Sequence, residues 1–192
     1  MFILYNIFIN IFCIFSKIYL KIRIKNKKEH PERYLEKLSI TNFSANTDRI
    51  IWFHAASVGE LLSIFPLIDK LSKENLFEKI LVTSITLSSS QIFEKKYKNN
   101  KKIIHQFLPL DKSKFIKNFL KHWKPSALVL IESEIWPNLI YEAKKNNIPL
   151  VLLNARITSK TFLKWKFLKN FSFKKFKKID LSISSNKETE IY

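Results

Sequence analysis

The chain of 192 residues is long enough for one α/β domain with a short appendage, and too short for two full domains. Its hydrophobic fraction of 46% is that of a folded protein and excludes general disorder. The formal net charge of +18 comes almost entirely from lysine, which favours a generic basic surface, or one that faces an anionic membrane, over a sequence-reading nucleic-acid surface.

The amino-terminal segment is apolar from Met1 to Leu20, with Lys17 as the only charge. About 20 such residues in a helix match a hydrocarbon core roughly 30 Å thick. Five basic residues follow between positions 21 and 28, which by the positive-inside rule predicts a cytoplasmic flank and does not suit a signal peptide. Residues 1–22 are therefore predicted to be a membrane anchor that either spans the bilayer or lies in its interface. The single cysteine, Cys13, excludes an internal disulfide and a cysteine-based zinc site.

Residues 23–48 are polar and basic, and they read as a short helix and a linker with Pro31 in the first helical turn. The folded domain is accordingly expected to begin near Arg49 and to occupy residues 49–192.

From residue 49 onwards, apolar runs alternate with amphipathic stretches. Strands are predicted at residues 50–55, 79–84, 103–108, 127–131, 149–153 and 179–184, and helices at 61–72, 89–98, 112–123, 139–146 and 162–178. Continuous runs of Ile, Val and Leu are typical of strands that helices cover on both faces. The fold class is therefore α/β, with a Rossmann-like, doubly wound parallel sheet. The glycine fingerprint of dinucleotide-binding folds is absent from the sequence.

Unusual polar residues follow the predicted strands, at the edge where parallel sheets bind ligands. The candidates for this edge are His54, Ser57, Gly59, Glu60, Thr83, Ser84, Thr86, Asp111, Glu132, Ser133, Glu134, Trp136, Asn138, Asn154 and Arg156. Such clustering at one edge of the predicted sheet points to a functional site.

Gly59 and Glu60 are the most informative of these residues. Gly59 is the only glycine, and either it takes a positive φ, or it lets another group approach the backbone, or it only makes a tight turn. Glu60 begins the next helix, where its carboxylate could cap the helix or accept a proton from a substrate hydroxyl.

Glu132 and Glu134 follow a buried strand, and strand alternation predicts that both point to the same side, where each raises the pKa of the other. Trp136 could be an aromatic shelf or ordinary core, and His54 could be a ligand contact or a core histidine. Arg156, an arginine in a lysine-rich chain, suits planar recognition of phosphate or carboxylate.

Four ordered motifs together resemble the 3-deoxy-D-manno-octulosonic acid (Kdo) transferase family. They are His54-Ala-Ala-Ser-Val-Gly-Glu60, Leu108-Pro-Leu-Asp111, Glu132-Ser-Glu-Ile-Trp-Pro-Asn138 and Ile148-Pro-Leu-Val-Leu-Leu-Asn-Ala-Arg156. The resemblance covers essentially the whole chain, and the apolar amino terminus with its basic flank also fits the family.

The resemblance implies the amino-terminal, acceptor-side half of a GT-B glycosyltransferase, which transfers Kdo from CMP-Kdo to the lipid A precursor lipid IVA at the cytoplasmic face of the bacterial inner membrane. Transfer in the family is inverting and needs no metal or other cofactor. Glu60 matches the general base, and Glu132 matches an acid that stabilises the transition state. The implied acceptor-binding residues are His54, Ser57, Gly59, Thr83, Thr86, Glu134, Trp136, Asn138, Asn154 and Arg156.

The sequence departs from the family pattern in three places. Ser89 stands where the family usually has glycine, and Leu87 stands where proline is common. Glu36-Lys37-Leu38-Ser39 replaces a Glu-Arg-x-Gly pattern. The sequence also ends at Tyr192, where the first domain of such an enzyme finishes, so the donor domain is expected to be absent or to lie on a separate chain. We therefore expect no transfer by this chain alone.

Two other hypotheses remain open. The chain could be a non-catalytic, lipid-binding remnant of such an enzyme. A nucleic-acid binder would use the aromatic and lysine residues that interleave between positions 162 and 178, but a membrane-facing amphipathic helix explains the same pattern. The expected partners are thus the lipid A precursor and anionic inner-membrane lipid, without nucleic acid.

Overall fold

A computed structural model describes residues 2–45, 47, 49–132, 135–156, 178–186 and 189. Its helices are α1 (Phe2–Lys25), a 3-10 helix (Arg33–Leu38), α2 (Val58–Lys73), α3 (Leu87–Tyr97), α4 (Ser113–Trp123) and α5 (Pro137–Lys145). Its strands are β1 (Ile50–His54), β2 (Lys79–Ser84), β3 (Ile103–Phe107), β4 (Ala127–Ile131), β5 (Leu150–Ala155) and β6 (Leu181–Ser184). All six predicted strands are present, while the predicted helix at 162–178 falls almost wholly outside the described residues.

The strands form one parallel sheet with the order β3-β2-β1-β4-β5-β6. This confirms the predicted Rossmann-like, doubly wound class. The chain moves outward in one direction from β1 to β3, returns to β4 beside β1, and then moves outward in the other direction. The strand order therefore reverses between β1 and β4, which is where ligands bind in open α/β sheets.

The core consists of two apolar layers, one on each face of the sheet. On one face, Trp52 of β1 packs against Phe119 of α4 with ring centroids 4.7 Å apart, within a cluster completed by α5. On the other face, Phe53 packs with the buried residues of α2 and α3. Burying each large apolar side chain contributes about 1.5–3 kcal/mol, so alternate residues of β1 stabilise opposite layers.

Helix α1 lies along the domain and extends three residues beyond the predicted end of the anchor. Its inner face contains the buried residues Cys13, Ser16 and Leu20, and the Tyr5 hydroxyl donates a hydrogen bond to Asp111 at 2.6 Å. The outer face exposes large apolar residues at helical spacing: Ile3, Leu4, Ile7, Phe8, Ile11, Ile14, Phe15, Ile18, Tyr19 and Ile22. By length and composition this helix could cross a membrane.

The segment between α1 and β1 packs against the sheet, although the sequence suggested a linker. Its helical part is a 3-10 helix that begins two residues after Pro31. Glu36 accepts a hydrogen bond from the backbone N–H of Phe107 at 2.8 Å, and Arg33 contacts Glu36 and His105. The 3-10 helix therefore satisfies polar groups at edge strand β3, which would otherwise remain open.

Candidate active site at the strand-order reversal

The ends of β1 and β4 bring together the two sequence segments that carry the strongest motifs. The strands are direct neighbours, with His54 paired to Leu130 in the register. The turn after β1 contains Ser57 and leads into α2, whose first turn contains Gly59, whereas the turn after β4 contains Glu132. Both turns therefore lie at the carboxyl edge of the sheet, on either side of the reversal.

Glu60 is held by the amino-terminal cap of α2. Ser57 is the N-cap residue, and its hydroxyl oxygen accepts a hydrogen bond from the Glu60 N–H at 3.3 Å. In return, the Glu60 carboxylate accepts hydrogen bonds from the Ser57 hydroxyl and from the Ala56 N–H, both at 2.8 Å. This reciprocal arrangement resembles a capping box and fixes a carboxylate that is 8% exposed. Glu60 can therefore cap the helix and also accept a proton from a substrate hydroxyl, since each carboxylate oxygen keeps a further lone pair.

Gly59 lies inside the first turn of α2 and does not have a positive φ, which excludes that one of the three alternatives. A Cβ added here would meet only the Ser57 Oγ, at 4.0 Å. Nothing among the described residues therefore requires glycine. Because Gly59 is helical, it does not make a tight turn either, and the remaining explanation is that another group approaches its exposed backbone.

His54 and Thr83 lie beneath the edge rather than on it. Both are fully buried, and the His54 Nδ1 lies 3.0 Å from the Thr83 Oγ1. The same Thr83 oxygen accepts a hydrogen bond from the Trp52 indole N–H at 2.9 Å. Their geometry favours a supporting role for the two neighbouring strand ends, and direct acceptor contact stays a prediction.

Thr86 caps the next helix, α3. Its hydroxyl oxygen accepts a hydrogen bond from the Ser89 N–H at 3.2 Å and lies 2.6 Å from the Ser89 Oγ. Ser89 is fully buried, so its side chain, at a position where the resemblance leads one to expect glycine, completes the cap instead of narrowing the cleft. Thr86 itself is half-buried at the edge.

Glu132 occupies a left-handed backbone conformation with a φ of 58°, which is uncommon for a residue other than glycine or asparagine. Its N–H donates to the Leu153 carbonyl at 2.9 Å. Asn154 also has a φ of 58°, at a register irregularity between Leu153 and Ala155 in β5. Because Glu132 follows the end of β4, strand alternation does not decide the direction of its side chain, and Glu134 lies outside the described residues. Such strained residues concentrate at functional sites.

Trp136 and Asn138 begin α5, whose first turn is held by Asp111. One Asp111 oxygen accepts from the Asn138 N–H at 2.9 Å, and the other accepts from the Leu139 N–H at 2.8 Å. The Asn138 side-chain amide donates to the Asp111 carbonyl at 2.5 Å. Trp136 is half-buried, and its ring centroid lies 6.4 Å from that of His54. Pro137 occupies the first turn, where its missing N–H costs nothing.

Asp111 is the residue of this site whose role the sequence did not reveal. It was recognised as a polar residue after a strand, but its partners are 27 and 28 residues further along the chain. Its sequence signals were its place in the Leu108-Pro-Leu-Asp111 motif and after an apolar run, and neither indicates a cap on α5. Arg156 lies exposed directly after β5, on the same edge as Asn154.

Comparison with known proteins identifies the relatives of this chain. The family model described as "3-Deoxy-D-manno-octulosonic-acid transferase (kdotransferase)" matches residues 28–191. The "3-deoxy-D-manno-octulosonic acid transferase" of Rickettsia bellii is 42% identical over 150 residues, which cover 78% of this chain and 35% of that protein. The "Probable 3-deoxy-D-manno-octulosonic acid transferase, mitochondrial" of Arabidopsis thaliana is 38% identical over 137 residues, or 71% of this chain and 30% of that protein.

A "Bifunctional glycosyltransferase/methyltransferase" of Fusobacterium nucleatum is also similar, with 34% identity over 146 residues that cover 74% of this chain and 22% of that protein. The matched part thus spans about a third or less of the length of these curated relatives.

Proposed function

This chain belongs to the 3-deoxy-D-manno-octulosonic acid (Kdo) transferase family, and we propose that it forms the acceptor-side part of an enzyme that transfers Kdo from CMP-Kdo to lipid IVA. The observation that carries the proposal is the Glu60 carboxylate, fixed at the strand-order reversal by Ala56 and Ser57. The matched part covers 35% of the Rickettsia bellii relative, and we assign donor binding to the remaining length of such an enzyme.

In the proposed reaction, Glu60 is the general base. A hydroxyl of lipid IVA loses its proton to Glu60 as its oxygen forms the new bond to the Kdo anomeric carbon, and the bond to the CMP phosphate breaks with inversion. Glu132 stabilises charge in the transition state from the neighbouring strand end. The proposed step uses no metal ion and no cofactor, because a carboxylate base and a phosphate leaving group account for the proton and the electron pair.

The acceptor contacts are divided between the surface and the layer beneath it. Ser57, Thr86, Trp136, Asn154 and Arg156 are exposed or half-buried at the edge, and we assign them to direct contact with lipid IVA. His54, Thr83 and Asn138 are buried and orient those contacts. Gly59 leaves the first turn of α2 open, so that the acceptor can approach the backbone amides.

The outer face of α1 supports a location at a membrane. Its exposed Ile and Phe residues face away from the domain, and basic residues follow directly at the end of the helix. We assign this surface to the cytoplasmic side of the bacterial inner membrane, against anionic lipid, with the acceptor edge close to the bilayer that contains lipid IVA. Tyr5 supports this placement, because it ties α1 to Asp111 beside the site.

A non-catalytic, lipid-binding remnant is the second candidate, and it would share the fold and the membrane surface. Binding to lipid IVA does not separate the two candidates, whereas the chemistry of Glu60 does. The intact state of all four motifs, Glu60 included, favours the enzyme.

The first experiment measures binding of the whole chain to nanodiscs of phosphatidylethanolamine and phosphatidylglycerol, with and without lipid IVA. We expect saturable binding that depends on lipid IVA and is weakened at least tenfold by Gly59→Ala. We also expect no turnover when only CMP-Kdo is added. Equal binding to both nanodiscs would contradict the acceptor role. A strong preference for single-stranded RNA, measured in parallel, would contradict it as well.

The second experiment joins this chain to the remaining length of the Rickettsia bellii relative and measures Kdo transfer. Glu60→Gln should keep the cap, since glutamine also serves in capping boxes, and should lower kcat by about 100-fold or more. Glu74→Gln is the matched control, because it makes the same change at an exposed residue at the other end of α2. Transfer by Glu60→Gln at the unmodified rate would reject Glu60 as the base.

A further inference from the structure

Lys37, in the 3-10 helix before β1, extends its side chain beneath the loop that follows β2. The residue is 5% exposed. Its ammonium donates hydrogen bonds to the Ile85 carbonyl at 2.8 Å and to the Glu29 carboxylate at 2.5 Å. Ile85 directly precedes Thr86, so this bond fixes the backbone from which the cap of α3 begins.

The backbone of Lys37 contacts a second loop of the same edge. Its carbonyl accepts a hydrogen bond from the Leu110 N–H at 2.9 Å. Leu110 directly precedes Asp111, the residue that holds the first turn of α5. Lys37 is thus bonded both to the loop that follows β2 and to the loop that follows β3.

Stability alone does not explain a lysine in this place. A buried ion pair such as Lys37–Glu29 is often no more stable than apolar residues of similar volume, because both charges lose their hydration. The 3-10 helix also has independent attachments, through Glu36 to Phe107 and through Arg33 to His105. What the ammonium adds is a directed bond to the Ile85 carbonyl.

We propose that Lys37 is a positioning residue, which holds the loop after β2 so that Thr86 meets the acceptor. The proposal rests on the acceptor-binding function assigned above. It makes the segment after α1 part of the site, because that segment transmits the position of the membrane helix to the loop.

The test compares Lys37→Met, Lys37→Arg and the double variant Lys37→Met/Glu29→Leu in the whole chain. Lys37→Met should be destabilised, because Glu29 then loses its buried partner. The double variant should regain most of that stability, since the buried Glu29 charge is removed as well, and Arg23, its partly exposed second partner, keeps its bond to the Lys28 carbonyl. Lys37→Arg retains a cationic donor and should resemble the unmodified chain.

Two readouts separate positioning from folding. Amide hydrogen exchange at Ser89 and Ser90, whose N–H groups bond to Thr86, should speed up about tenfold in the double variant, while exchange in β2 stays unchanged. The dissociation constant for lipid IVA nanodiscs should rise by a similar factor. Unchanged exchange at Ser89 and Ser90, or unchanged affinity in a double variant whose loop is loosened, overturns the proposal.

The two hypotheses fail in different ways. If the unmodified chain shows no dependence on lipid IVA, the acceptor function is rejected, and with it the purpose assigned to Lys37. Faster loop exchange would then show only that Lys37 fixes the loop. If the unmodified chain binds and the double variant binds equally well, the acceptor function stands and the positioning role is rejected.

Discussion

Positive φ angles are concentrated in residues other than glycine. Within the described residues, Lys27, Ser39, Lys124, Glu132, Asn147 and Asn154 have φ between 44° and 63°, whereas Gly59 does not. Side chains other than glycine are strained in this region by about 1–2 kcal/mol, although asparagine tolerates it better. Glycine would adopt the same backbone angles at these positions without this strain.

Replacing Ser39 by glycine should raise the free energy of unfolding by roughly 0.5–1 kcal/mol. Ser39 ends the 3-10 helix with a φ of 63°, where glycine removes the strain while its N–H still bonds to Glu36. Chemical denaturation measures the change. As a control, Ser88→Gly in the first turn of α3 should lower stability, because φ is not positive there.

Burial lowers the pKa of His105 well below its usual value, and the nearby Arg33 and His30 add to the shift. Because the Arg33 guanidinium can only donate, the His105 Nδ1 facing it at 2.9 Å is the acceptor. The proton therefore resides on Nε2, which donates to the Ser84 hydroxyl at 2.8 Å. The folded protein thus holds the neutral ring, whereas the unfolded chain binds a proton near pH 6.5.

This shift predicts how stability depends on pH. The stability from the neutral ring is fully present above about pH 6.5 and is lost as pH falls below that value towards the lower pKa of the folded state, because the unfolded chain then binds more protons. His105→Gln should reduce the fall in the free energy of unfolding between pH 7 and pH 5. Parallel denaturation curves measured across this range provide the check, and identical slopes would argue against a neutral buried His105.

At the scale of elements, the start of α3 explains a departure from the family pattern. Leu87 is the first helical residue, and Thr86 before it has φ −99° and ψ 150°. The first helical position does not need its N–H within the helix, and an extended residue is what proline requires before it. The backbone at this point is therefore compatible with proline at position 87, where proline is common in the family.

Leu87→Pro should change the free energy of unfolding by less than about 1 kcal/mol, in either direction, because reduced freedom of the unfolded chain opposes the loss of a half-buried leucine. Gln91→Pro is the matched control on the exposed face of the same helix, and it should cost about 3 kcal/mol or more. Thermal unfolding of both variants distinguishes them. Comparable losses would show that α3 begins before Leu87.

At the scale of the whole molecule, Asp111 connects three regions that are distant in sequence. Its carboxylate accepts hydrogen bonds from Tyr5 of α1 and from the first turn of α5, while the residue itself lies in the loop after β3. The position of α1 and the start of α5 therefore depend on one buried carboxylate.

Asp111→Ala should destabilise the chain by about 3 kcal/mol, because two buried N–H groups of α5 and the Tyr5 hydroxyl lose their acceptor. Tyr5→Phe removes only one of these bonds and should cost about 1 kcal/mol. Denaturation in detergent measures both variants. Equal losses would mean that the contact with α1, and not the cap of α5, determines the effect.

The sequence by itself determined the strands, most helix positions and the fold class, because these depend on the local spacing of apolar residues. It also identified the segments that meet at one sheet edge, since parallel strands place their carboxyl ends together. Only the tertiary structure decided the strand order and its reversal between β1 and β4. It alone showed the cap that Asp111 forms on α5, the left-handed turn at Glu132, and the bond from Lys37 to Ile85. These bonds of Asp111 and Lys37 join residues 27 to 48 positions apart, and the turn at Glu132 has a backbone angle that its own side chain does not favour. The local sequence pattern contains no information about either.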